Sequence, residues 1–142
     1  MHSYGKTFDE WYTCAHKLMA RTDDCQQVLD EFTDKYVRDD VIFSPPTYSR
    51  FYRGKGWFKA ILNEVSKVIG RSFEYQRTWV NQHNWGLEFT TTLPNGMFMR
   101  GIDIISLDSN FKIKELRVLA APLNSIQFLR DEMASRSPRP KL

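Results

Sequence analysis

The chain has 142 residues, with 20 Lys and Arg against 17 Asp and Glu, 42% hydrophobic and 14% aromatic residues, and two cysteines. A chain of this length suits one globular domain burying about 68–70% of its unfolded surface, so folding needs neither disulfides nor a structural metal. Its apolar runs are short and broken by Lys, Glu or Asp, which excludes a transmembrane helix and with it a membrane role.

The net charge is +3, but Arg136, Arg139 and Lys141 all lie in the last seven residues. Without them the two signs balance, and a neutral body with a short basic tail lacks the footprint of a nucleic-acid binder. Residues 1–134 are expected to form the domain and the polar, Pro-rich 135–142 a disordered basic tail. The start leads into a charged amphipathic segment without a signal-peptide apolar run, so a cytoplasmic location is expected. Cys14 and Cys25 have neither CxxC nor metal-ligand spacing and read as reduced thiols. No metal is expected, and no phosphate or dinucleotide fingerprint implies a cofactor.

Thr7 and Glu10 fit a capping box, and Phe8, Trp11, Tyr12, Ala15, Leu18 and Met19 follow at helical spacing, predicting a helix over 7–21. Asp23 and Asp24 open a second helix over 24–36, with Val28, Leu29, Phe32 and Tyr36 as its apolar stripe. Val41-Ile42-Phe43 reads as a short strand stopped by Pro45-Pro46, followed by a loop to Gly54. From residue 56, Trp57, Phe58, Ile61, Leu62, Val65, Val68 and Ile69 keep a 3.6-residue period that Gly70 closes.

After Gly70 the period becomes 2. Phe73, Tyr75, Arg77 and Trp79 alternate with Glu74, Gln76, Thr78 and Val80; Trp85, Leu87, Phe89 and Thr91 do the same after the 81–84 turn. Pro94-Asn95-Gly96 turns into a strand over 97–107, and 108–110 turns into a last strand over 113–121. Pro122 starts a final helix carrying Leu123, Ile126, Leu129 and Met133. Helices segregated from an antiparallel meander make an α+β domain.

Within the strand Gly-Ile-Asp-Ile-Ile-Ser-Leu, Asp103 is the one carboxylate in an otherwise apolar run. Burial disfavours its ionised form, so its pKa should rise toward neutrality, as acid/base chemistry requires. Tyr12 and His16, four residues apart, share a helix face and are candidates to assist it, His16 as an acid/base dyad with Asp103. His83, in the 81–84 turn, reads as solvated.

The order of elements resembles the nuclear transport factor two-like superfamily, which includes SnoaL-like polyketide cyclases and ketosteroid isomerases. Three patterns carry the resemblance: Tyr36-Val37-Arg38-Asp39-Asp40-Val41-Ile42-Phe43 before a Pro, Phe51-Tyr52-Arg53-Gly54 before the third helix, and Gly101 to Asp108 with the strand after it. The resemblance implies a cystatin-like cone, a strongly curved, mainly antiparallel sheet wrapped round a cavity, and a homodimer. It also implies a role for Asp103 like that of the neutral, hydrogen-bond-donating Asp of ketosteroid isomerase. The isomerase general base, by contrast, has no counterpart, since Ser44 and Pro45 occupy its stretch. The second carboxylate of limonene-epoxide-hydrolase relatives is absent as well, with Val118, Leu119 and Ala120 in its place.

The pocket expected from this resemblance draws on Trp57, Trp85, Leu87, Phe89, Gly101, Ile105, Leu116 and Val118. Gly101 shares the strand phase of Asp103, where a missing side chain leaves room. The leading expectation is a protein that binds a hydrophobic small molecule in this apolar cavity. The alternatives are an isomerase or cyclase using Asp103 as general acid/base, and a dimeric interaction module whose outer sheet face binds a partner.

Overall fold

The computed structural model describes residues 4–136. Its elements run α1 (Tyr4–Ala20), α2 (Cys25–Tyr36), β1 (Val37–Ser44), β2 (Tyr52–Arg53), α3 (Lys55–Ile69), β3 (Glu74–Val80), β4 (Asn84–Thr92), β5 (Phe98–Leu107), β6 (Ile113–Ala121) and α4 (Leu123–Arg136). The six strands form one sheet in the order β2-β1-β6-β5-β4-β3. All its pairs are antiparallel except β1 with β6, which run parallel. This is the expected α+β architecture, with β1 longer than the three residues its sequence suggested.

Two local expectations are corrected at the helix starts. Thr7 does not cap α1, which begins three residues earlier; its hydroxyl is buried and donates to the carbonyl of Phe111 at 2.9 Å. Asp24 stands at the N-cap of α2 but makes no side-chain cap bond, because its carboxylate is taken by Lys17 and Thr22. The Gly54 signal holds: this residue has φ 106° and supplies a backbone conformation that other residues adopt only with strain. Of the basic tail expected over 135–142, residues 135 and 136 end α4, and the rest lies outside the described residues.

Strand alternation divides the sheet into two faces. On β5, Met99, Gly101, Asp103, Ile105 and Leu107 are buried under the helices, while Phe98, Arg100, Ile102, Ile104 and Ser106 face outward. The single phase expected for β3 breaks. A bulge lies between Tyr75 and Thr78, after which Trp79 pairs with Gly86 on the outer face. Tyr75 is therefore buried and Trp79 is 52% exposed. On α4 the inward residues are Ser125, Leu129 and Met133, whereas Leu123, expected on the apolar stripe, is 78% exposed.

Gly101 marks the tightest approach within the sheet. A Cβ there would lie 2.3 Å from Cζ of Phe89, its partner on β4, and 2.7 Å from the carbonyl oxygen of Leu119. The room its missing side chain leaves is filled by the Phe89 ring, so Gly101 does not widen the cavity as the sequence suggested. Gly101→Ala is expected to destabilise by about 1–3 kcal/mol through overpacking. Gly86→Ala, whose closest neighbour at 3.2 Å is the flexible end of Ile102, should cost much less. Denaturant titration of both variants checks the contrast, and equal effects would refute it.

Candidate functional site

The amphipathic spacing of α1 turns Trp11, Cys14, Ala15 and Leu18 inward at i, i+3, i+4 and i+7, across the mouth of the curved sheet. Together with α3, α4, the loop after β1 and the inner face of β3 to β6, they enclose a cavity of about 390 Å³. Its walls are mainly apolar, from residues such as Phe43, Trp57, Ile61, Phe73, Phe89 and Leu116. Few polar groups reach it, the pattern expected of a small-molecule site. Asp103 is the only Asp or Glu among the described lining residues.

Asp103 is held at the middle of β5, between Leu87 on β4 and Val118 on β6. Its Oδ2 accepts a 2.5 Å hydrogen bond from the hydroxyl of Tyr75, which in turn accepts one from Nε1 of Trp11 at 3.1 Å. All three residues are buried and all three line the cavity. The indole N–H can only donate and the phenol both accepts and donates, so the chain runs Trp11 to Tyr75 to Asp103. Oδ1 of Asp103 makes no hydrogen bond to a described residue, and Asp103 lines the cavity.

Burial pushes the Asp103 carboxyl up to about 7, with the Tyr75 hydrogen bond pulling the other way. Burial, followed by the charge of Asp103, also drives the Tyr75 hydroxyl well above its ordinary value, so it stays protonated. Cys14 is pushed up to about 12, first by burial, and is a neutral thiol in the wall. Near neutral pH, Asp103 is thus the lining group that changes charge.

The sequence-predicted residues separate into two sets. Trp57, Phe89, Leu116 and Val118 line the cavity with Asp103. Leu87, beside Asp103, and Trp85 and Ile105, toward the start of β4, are fully or almost fully buried and lie outside the lining. There the first turns of α1 seal the sheet, with Phe8 edge-on to Trp85 at 5.2 Å and Thr7 tied to Phe111.

Tyr12 and His16 also lie outside the lining. Tyr12 is 39% exposed, and Nδ1 of His16 is bonded to the carbonyl of Tyr12 at 2.9 Å. Both rings meet the ring of Tyr75 at 5.4 Å, so they back the residue that touches Asp103 and do not touch Asp103 themselves. The expected His16–Asp103 pair is replaced by Tyr75–Asp103. The sequence reading passed over Tyr75 and Trp11, each of which fitted an apolar pattern. The available signal was that both carry a polar atom needing a partner once buried.

No family model matches the chain, and no curated protein matches it. Solved structures do. A steroid delta-isomerase from Pseudomonas aeruginosa shares 27% identity with a TM-score of 0.80, over 96% of this chain and 93% of that one. An uncharacterized bacterial protein with a cystatin-like fold, from Silicibacter pomeroyi DSS-3, shares 26% identity with a TM-score of 0.72, over 86% and 84% of the two chains. A protein described as a SnoaL-like polyketide cyclase from Jannaschia sp. CCS1 shares 11% identity with a TM-score of 0.66, over 89% and 92%. A curved sheet closed by helices over a cavity is the cystatin-like cone. The chain has this cystatin-like, nuclear transport factor two-like fold, which it shares with these structures.

The Asp103 carboxyl should make stability depend on pH. Its folded value, about 7, exceeds the ordinary 3.8, so the native state binds the proton more tightly than the unfolded chain. The resulting stabilisation is complete below pH 3.8 and is lost as pH rises through 7, by on the order of 4 kcal/mol. Asp103→Asn, with a neutral side chain throughout, should lack this slope. Urea titrations of both proteins from pH 4 to 8 test it, and parallel stability curves would show that Asp103 ionises as an ordinary carboxylate.

Proposed function

We propose that the protein binds a hydrophobic small molecule bearing a carbonyl or hydroxyl group, which takes a hydrogen bond from neutral Asp103 inside the cavity. The observation that carries this reading is the Trp11–Tyr75–Asp103 chain, which ends with a free carboxyl oxygen in an apolar hollow. A buried polar chain that served packing alone would close on itself; this one leaves an atom for a guest. A second reading, an isomerase or cyclase with Asp103 as general acid/base, is favoured by its pKa of about 7 and by the likeness to a steroid delta-isomerase. Its proton donor and acceptor is Asp103 itself, with Tyr75 as positioning residue and with Tyr12 and His16 supporting the Tyr75 ring.

Thermal-shift titration with steroid ketones and polyketide-like ketones tests the binding. At about a hundred times Kd a ligand adds about 2.7 kcal/mol to native stability, which raises Tm by roughly 5–10 °C for a chain of this size. Asp103→Leu should cancel the preference for a ketone over the corresponding hydrocarbon. For the enzyme reading, Asp103→Asn should abolish turnover of a bound ketone while the protein stays folded. No shift with either class, or an unchanged preference in Asp103→Leu, would overturn the binding reading.

The homodimer forms through the outer face of the sheet. Trp79, Leu119 and Phe98 are about half exposed there, and Ile102 and Ile104 lie between them. An apolar patch rimmed by Arg77, Glu88 and Arg117 suits self-association. Light scattering at tens of micromolar should give twice the chain mass, falling to one chain in Leu119→Glu; a monomeric wild type would refute this interface. Among the described residues no helix is long and apolar enough to cross a membrane, and the two buried free cysteines suit a reducing compartment such as the cytoplasm.

A further inference from the structure

Beyond the apolar walls and Asp103, the cavity has a cationic rim that the binding reading does not use. The loop between β1 and β2 brings Tyr48 and Arg50 to the lining, and β2 brings Tyr52. The Arg50 guanidinium lies 5.8 Å from the centre of the Tyr48 ring and 5.2 Å from that of Tyr52, and its Nε donates to the Tyr52 hydroxyl at 3.2 Å. From α4, the Arg130 guanidinium, which is exposed and outside the lining itself, lies 5.1 Å from the centre of the same Tyr48 ring. Neither arginine forms an ion pair with a described carboxylate. Aromatic contacts thus hold two guanidiniums around one phenol ring while leaving their forked N–H donors uncommitted to any carboxylate.

We propose that the rim formed by Arg50, Arg130 and Tyr48 selects amphipathic ligands carrying a carboxylate, with the apolar body in the cavity and the acid group at the mouth. This rests on the small-molecule reading above and adds the chemistry of the ligand's outer end. The guanidinium fork matches a carboxylate in shape, and a charge-assisted hydrogen bond is the stronger kind. The two ends of the site differ in a useful way. Asp103 is buried and offers one hydrogen bond to a neutral polar atom, whereas Arg50 is exposed and lets an anionic group remain partly hydrated. A ligand entering the other way round would bring its carboxylate against Asp103 and leave the arginines unused.

Calorimetric titration with dodecanoate and dodecan-1-ol at pH 6, where Asp103 is neutral and the dodecanoate headgroup is charged, provides the test. These probes share a chain and differ in charge. Dodecanoate is expected to bind about fivefold to tenfold more tightly, a range set by the solvent exposure of the rim. Arg50→Gln and Arg130→Gln should each reduce that ratio, and the double variant should bring it to unity. Equal affinity for both probes in the wild type, or a ratio that survives the double substitution, would overturn the carboxylate selectivity and leave the apolar-cavity reading standing. Failure of both probes to bind would overturn the carboxylate selectivity, whereas the small-molecule reading stands or falls with the ketone titrations above.

Discussion

A carboxyl group that the fold keeps away from water is the constraint on which the site depends. Leaving Asp103 ionised in the cavity wall would cost several kcal/mol, so the group shifts toward its neutral form. The Tyr75 hydroxyl lessens that cost without removing it, because it gives the carboxyl one strong hydrogen bond and is itself oriented by Trp11. Each member of the chain comes from a different element: α1 supplies the indole, β3 the phenol and β5 the acid. Their meeting therefore requires the helix to lie across the sheet at one angle and one register. The same docking that orders the polar chain also leaves the hollow beside it.

The inner face of the sheet is solid at one end and open at the other, and the difference follows from how α1 crosses it. Where the first turns of α1 meet the start of β4 and the turn before β6, Phe8 covers Trp85 and Thr7 anchors Phe111. Further along, α1 presents Trp11, Cys14 and Leu18, and the walls are completed by α3, α4 and the loop after β1. The bulge in β3 has a part in this. It keeps Tyr75 on the inner face while turning Trp79 to the outside, so one strand serves both the polar chain and the exposed patch.

Much of the architecture was legible because it rests on periodicity: the change from 3.6 to 2 after Gly70, the Asn-Gly turn and the lone carboxylate in β5 each have a direct physical meaning. Asp103 stood out because a charged group in an apolar strand violates the pattern around it. Tyr75 and Trp11 did not, since aromatic residues satisfy an apolar pattern and show their polar atoms only when a partner is found. The expected His16–Asp103 pair failed for a geometric reason: residues 12 and 16 share a face one step round the helix from residues 11, 15 and 18, and that face looks toward β3 and not into the cavity. The exclusion of Trp85, Leu87 and Ile105 from the lining, like the filling of the Gly101 gap by Phe89, depends on how the elements cross, which alternation along a strand does not encode.

The scarcity of titratable groups limits the chemistry this cavity can support. Two-carboxylate mechanisms divide the roles of acid and base between groups whose environments set their pKa values apart. Among the described lining residues there is one Asp or Glu; the thiol of Cys14 is pushed up to about 12 and the phenol of Tyr75 well above its ordinary value. Among these groups, Asp103 is the one whose raised value lies near neutral pH. Such a site suits a proton shift between neighbouring atoms of one molecule, where a single carboxyl gives and takes in turn. It does not suit hydrolysis that needs a base on one face of the substrate and an acid on the other. Binding and acid/base chemistry thus ask for the same geometry here, a neutral acid held by Tyr75 in an apolar hollow, and they diverge only in whether the guest carries a proton acidic enough for a group of pKa about 7 to remove.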